Sequence, residues 1–196
     1  GIWQTNESDA AAKYNQKPGQ IRVKDIDGNG IINANDRQII GKRVPDWTGS
    51  IGNTFRYGEV DLYFLLYTRQ GEQFNSSFDA TLMNYNSPYN QVQINYWTAE
   101  NPSQTHFQPG NPGPYAGIAN YRKVNFVRVG NITLGYRLPS SLAKKIGIQN
   151  LRVYATATNP FTLTKYEGFD PEWPSQNSYG TAISAASYLF GVNLSF

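Results

Sequence analysis

Residues 187–196 read SYLFGVNLSF, and this stretch decides the fold. Tyr188, Phe190, Val192, Leu194 and Phe196 fall on one face of an extended chain, while Leu189, Gly191, Asn193 and Ser195 fall on the other. Side chains alternate with period two along a strand, so the pattern is a strand with one almost wholly apolar face. Residues 151–159 repeat it: Leu151, Val153, Ala155 and Ala157 oppose Arg152, Tyr154, Thr156 and Thr158. In residues 123–138, Val127 and Val129 keep one phase while Ile132, Leu134 and Tyr136 keep the other, and the change at Gly130 predicts a β-bulge. Residues 47–57 and 60–70 complete five strands and are parted by Gly58 and Glu59, a connection of hairpin length. Residues 139–147, PSSLAKKIG, predict a single helical turn, capped by Ser140 or Ser141 and stopped by Gly147.

The connections alternate in length. Gly58 and Glu59 form a short one, residues 71–121 a long one rich in Asn, Gln, Ser, Pro and Tyr, residues 139–150 a short one, and residues 160–185 a second long one. Transmembrane barrels pair short periplasmic turns with long extracellular loops and use strands of about 9–11 residues. The expected fold class is therefore all-β, a portion of an antiparallel transmembrane β-barrel. Residues 1–46 are expected to be a polar extracellular loop segment and residues 47–196 the barrel strands, with loops 71–121 and 160–185 outside and the C-terminus periplasmic. Five strands cannot close a large barrel, so further strands are expected before residue 1 or from another chain. A soluble sandwich can also end in an amphipathic strand.

Composition narrows the classes. A length of 196 residues suits one domain, and 39% hydrophobic residues with a mean hydropathy of −0.53 suit a soluble protein. A barrel has the same composition, because only alternate residues face lipid. No apolar run approaches the ~20 residues that a spanning helix needs. The net charge of +3, without a long run of Lys and Arg, argues against nucleic acid as a partner. With no Cys there is no disulfide frame, thiolate metal site or cysteine nucleophile. The sequence opens at Gly1 without a signal peptide, and its N-terminal part is expected to be missing.

Three blocks resemble one family. PGQIRVKDIDGNGIINANDRQIIGKRVPDWTGSIGNTFRYGEVDLYFLLY (18–67), VRVGNITLGYRLPSSLAKKIGIQNLRVYATATNPFTLTKYEGFDPE (127–172) and FGVNLSF (190–196) are similar, in this order, to SusC/RagA transporters of Bacteroidetes type. The resemblance implies the C-terminal strands of a large outer-membrane barrel of about 22 strands. It also implies an N-terminal plug, a SusD-like surface lipoprotein as lid, and TonB-dependent import of glycans or peptides. The implied partners are the remaining N-terminal part of the barrel, TonB through that missing region, and outer-membrane lipid. The family is not enzymatic, and its terminal strand is read by the assembly machinery, here through Phe190, Val192, Leu194 and Phe196.

Within KDIDGNGIINANDRQIIG (24–41), Asp25, Asp27, Asn29, Ile31, Asn33 and Asp36 fit the ligand spacing of an EF-hand loop, with Gly30 at its sharp turn. Crowded carboxylates repel each other unless a hard cation sits between them. Ile31 supplies a backbone carbonyl, and Asp36 is shorter than the usual Glu, which predicts weak Ca²⁺ binding, with Mg²⁺ as the alternative and no organic cofactor. The competing reading is an Asx-rich turn without metal. Tyr85, Tyr89, Tyr96, Trp97, Tyr115, Tyr121, Trp173 and Tyr179 are the candidate ligand or lid contacts, since flat rings stack on sugars or pack on a partner at low entropy cost. Mutual loop packing is their ordinary alternative.

No catalytic constellation is present. His106 lies alone in a Pro/Gly/Asn loop, Glu59 with Asp61 sits at a hairpin, and Glu167, Asp170 and Glu172 belong to the GFDPE-containing block. The rival function is a secreted, soluble, carbohydrate-binding β-sandwich with a dockerin-like calcium loop. A dockerin needs two such loops with intervening helices, and one is present.

Overall fold

The computed structural model describes residues 1–76, 93–173 and 183–196. Five strands lie in one sheet in sequence order: β1 (Trp47–Tyr57), β2 (Val60–Asn75), β3 (Tyr121–Arg137), β4 (Asn150–Thr164) and β5 (Ser187–Ser195). β1 with β2, β3 with β4, and β4 with β5 pair antiparallel. The expected all-β meander is what forms, as an open sheet. Gly58 takes φ +56° in the two-residue β1–β2 turn, a left-handed conformation that glycine adopts without steric cost. Among the described residues no helix is long and apolar enough to cross a membrane.

Three strands outrun their expected limits. β2 continues to Asn75, β3 begins at Tyr121, and β4 passes through Pro160 to Thr164. Proline ends a regular ladder, but a bulge tolerates it. The register steps from Asn131↔Thr158 to Val129↔Phe161, two positions on β3 against three on β4, and Asn159 takes φ +50° there. The bulge expected at Gly130 is thus present, and it carries the strand past the proline. It also sets Val127 and Val129 on the apolar face, opposite Leu163 and Phe161. The short helix α2 (Ser140–Lys145) starts from Pro139, without a side-chain cap, rather than from a serine.

Register and side-chain contacts define two faces. Face A carries Ile51, Phe55, Leu62, Phe64, Leu134, Val153, Phe161, Phe190 and Val192, and it is largely bare: Ile51 is 65% exposed, Phe161 64% and Phe190 80%. Soluble monomers seldom leave so large an apolar surface uncovered. Face B is mostly polar and carries Asp61, Tyr67, Arg128, Thr133, Arg152 and Thr156.

Glycines let long side chains of face B cross their neighbours. Arg152 of β4 reaches over β3 to Asp61 of β2, with Nε donating to Oδ1 at 2.9 Å and Nη2 to Oδ2 at 2.5 Å. It passes Gly135, where a Cβ would collide with both the guanidinium and the carboxylate. The Tyr154 ring lies over Gly191 of β5 in the same way, and Arg152 stands 5.1 Å from that ring's centroid. The Tyr67 ring packs over Gly130.

A second compact unit gathers Gly1–Lys42 with the described part of Gln73–Arg122. Ile2, Ile21 and Trp97 form its buried cluster, with Phe107, Tyr115 and Ala119 packed against it. Ile2 and Ile21 pair in an antiparallel bridge, and α1 (Ser8–Lys13) buries Ala11. The two polar segments that read as separate loops therefore share a small core.

A Gly135→Val substitution can be accommodated only by swinging Arg152 and Asp61 apart. The expected cost is about 1–3 kcal/mol for a partly buried charge-assisted pair, read as a lower urea midpoint, with Gly135→Val and Arg152→Ala nearly non-additive.

Candidate functional site

The acidic loop folds around its own backbone. Asp25, Asp27 and Asp36 each bring a carboxylate oxygen to within 4.8 Å of the others. Asp25 Oδ1 accepts from the Gly28 N–H at 2.7 Å, and its Oδ2 accepts from the Gly30 N–H at 2.8 Å and from the Tyr14 hydroxyl at 3.2 Å. Both glycines sit at positive φ, as the tight wrap requires. Asp36 closes the loop by accepting from the N–H groups of Ile26 and Asn33 at 2.7 and 2.8 Å. Burial pushes the Asp25 carboxyl up, but the Gly30 and Gly28 amides and the Tyr14 hydroxyl outweigh it and hold the group below its ordinary value of 3.8. Asp25 therefore stays ionised at neutral pH.

The Asx-turn reading of this loop has a direct structural counterpart. Asn29 and Asn33 use their side-chain oxygens as Asx acceptors for the N–H groups of Ile31 and Asn35, and Asn33 caps a short 3₁₀ turn at Ala34–Asp36. The three carboxylates meanwhile converge as a hard oxygen set that suits Ca²⁺ or Mg²⁺.

A buried charge cluster on face B was not anticipated. Arg128 is 2% exposed and extends Nη2 to Asp170 Oδ1 at 2.5 Å, Nη1 to Glu172 Oε2 at 2.7 Å, and Nε to Thr162 Oγ1 at 2.8 Å. The Tyr67 hydroxyl also donates to Glu172, at 2.8 Å. Asp170 accepts from the Glu172 N–H through Oδ1 and from the Ser184 N–H through Oδ2. The two feet of the β4–β5 connection are thereby fastened to three strands. Burial pushes the Asp170 carboxyl up, but the Glu172 and Ser184 amides and the Arg128 guanidinium prevail and hold it below 3.8. The acids of the GFDPE run were legible in sequence, but their arginine lies some forty positions earlier, on a strand that reads as ordinary.

The aromatic candidates do not form one set. Trp97 is 6% exposed within the Ile2–Ile21 cluster, and its Nε1 donates to Gln4 at 3.0 Å, so core packing has claimed a ring expected to meet a ligand. Tyr115 packs against the same cluster. Tyr96, Tyr121 and Trp173 keep 41–49% of their surface exposed. Tyr85, Tyr89 and Tyr179 lie outside the described residues. Of the terminal-strand residues, Phe190, Val192 and Leu194 lie on face A and Phe196 is exposed.

An Asp170→Asn variant leaves Arg128 with Glu172 as its remaining carboxylate among the described residues, at an expected cost of about 1–3 kcal/mol for a lost charge-assisted hydrogen bond, and should admit protease within residues 165–173. The Asp170 carboxyl titrates lower in the folded state than in the unfolded one. Its stabilisation is thus complete above the ordinary value of 3.8 and is lost as pH falls through the lower folded value. Proteolysis across an acid series should show wild-type protection failing only below that range, and the variant unprotected throughout.

No protein-family model matches the chain. The TonB-dependent receptor P3 of Formosa agariphila is 29% identical over 205 residues, covering 97% of this chain and 20% of that protein. The TonB-dependent receptor SusC of Bacteroides thetaiotaomicron is 28% identical over 184 residues, covering 93% and 18%. Among solved structures, that of the RagAB peptide importer in its closed-closed state superposes with a TM-score of 0.68 at 26% identity, covering 89% of this chain and 20% of the other. The chain spans about one fifth of the length of these relatives. Over nearly its whole length it is homologous, in sequence and in fold, to TonB-dependent receptors of the SusC/RagA type.

Proposed function

We propose that this chain forms part of the wall and the outward loops of an outer-membrane barrel that imports nutrients, glycans or peptides, in a TonB-dependent manner. The observation that carries this reading is face A. It runs apolar and exposed through the register-matched strands, and such a surface is stable only against another apolar medium. A soluble sandwich would need a second sheet over it, and the described residues contain one extended sheet. Face B, polar and crossed by ion pairs, is then the lumen side. The similarity to SusC and to the RagAB importer supports this assignment.

In this reading the remaining barrel strands, a SusD-like surface lipoprotein and TonB are the protein's partners. Tyr96, Tyr121 and Trp173 are the candidate contacts for substrate or lid, and the β2–β3 and β4–β5 connections belong to the outer side. The C-terminus lies on the periplasmic side, where Phe190, Val192, Leu194 and Phe196 serve assembly. Asp25, Asp27 and Asp36, with the Ile31 carbonyl, hold a Ca²⁺ ion that stiffens an external loop.

A Val192→Arg substitution puts a charge on the lipid side, at an expected cost of about 2–4 kcal/mol at mid-bilayer. Outer-membrane fractions should lose the heat-modifiable, folded form in this variant and keep it in Asn193→Arg on face B. Equal assembly of the two would overturn the assignment of faces. Calorimetry on the native protein should show heat on titration with Ca²⁺ that disappears in the Asp25→Ala/Asp27→Ala double variant, with the barrel intact.

A further inference from the structure

Near the β1–β2 turn, face B holds more guanidinium groups than it has carboxylates to receive them. Arg56 lies directly opposite Asp61 in the β1–β2 register, and Arg137 lies directly opposite Arg152 in the β3–β4 register. Like charges facing each other across a ladder repel, unless a counter-charge sits between them. Asp61 gives both of its oxygens to Arg152. Arg56 and Arg137 are left without a side-chain ion pair among the described residues. Glu59 lines the same cleft, but there its backbone carbonyl accepts the Arg137 N–H at 2.8 Å and its carboxylate pairs with neither arginine. The cleft is bounded by Arg56, Asp61, Arg137 and Ser140 and measures about 260 Å³. That falls short of the ~300–1,000 Å³ typical of small-molecule pockets, yet it admits one acidic side chain.

We propose that Arg56 and Arg137 form a docking point on face B for a carboxylate side chain of a polypeptide segment packed against that face. The proposal rests on the reading of face B as the enclosed side of a barrel. Charge complementarity selects the occupant. Two guanidiniums lining one cleft present forked donors suited to a carboxylate, and the neighbouring Asp61–Arg152–Tyr154 row supplies a pre-ordered wall beside them.

The test uses the full-length protein in outer-membrane vesicles, with Arg56→Lys and Arg137→Lys made separately. A water-soluble carbodiimide joins an amine to a carboxylate in contact with it, and mass spectrometry identifies the linked peptide. The expected result, in at least one variant, is a link from the new amine to an Asp or Glu outside residues 56–61, absent from the wild type. Links confined to Glu59 or Asp61, or no link in either variant, would overturn the proposal, and a free anion would then be the better occupant. Failure of the barrel reading is seen separately, as a wild-type protein that does not fractionate with the outer membrane.

Discussion

The structure depends on one sheet having to satisfy two environments at once. Alternation along each strand sends every second side chain to face A, where it is apolar and exposed, and the intervening ones to face B, where most are polar and paired. A one-residue slip in any register would exchange these sets, so the hydrophobic pattern and the pairing fix each other. The bulge at Gly130 shows how strictly the rule is kept. β3 changes phase there against an unbroken alternation on β4, and Val127, Val129, Phe161 and Leu163 lie with the other apolar side chains.

Face B obeys a different economy. Charges on a sheet surface are stabilising when they find partners, and here the partners sit two strands apart rather than opposite. Arg152 reaches Asp61 because Gly135 leaves its path clear, and Tyr154 lies flat because Gly191 has no side chain beneath it. Deeper burial raises the stakes at Arg128, whose isolated charge would be costly and which is therefore met by Asp170, Glu172, Thr162 and Tyr67. A loop that would otherwise hang from β4 gains fixed feet from that pairing.

The N-terminal acidic loop is organised by short-range forces. Asp25 and Asp36 satisfy backbone N–H groups within ten residues of themselves, and convergence of their carboxylates follows from closing so small a loop. Tyr14 ties the loop to the aromatic pair that it makes with Trp3, at 6.1 Å between ring centroids. Local order here rests on a small core whose members are drawn from distant parts of the chain.

What the sequence by itself determined was whatever repeats at short range. The alternation in SYLFGVNLSF, the Gly58–Glu59 turn, the phase change at Gly130 and the spacing of Asp25, Asp27 and Asp36 all depend on neighbours within a few residues. Five strands and the acidic loop were legible for that reason. Tertiary structure decided what depends on pairing between remote segments. The extension of β4 past Pro160 needed its β3 partner, and the burial of Trp97 needed Ile2 and Ile21. The meeting of Arg128 with Asp170 needed the connection to fold back onto the sheet. A strand pattern encodes which way a side chain points; only the closing of the chain on itself decides what it meets.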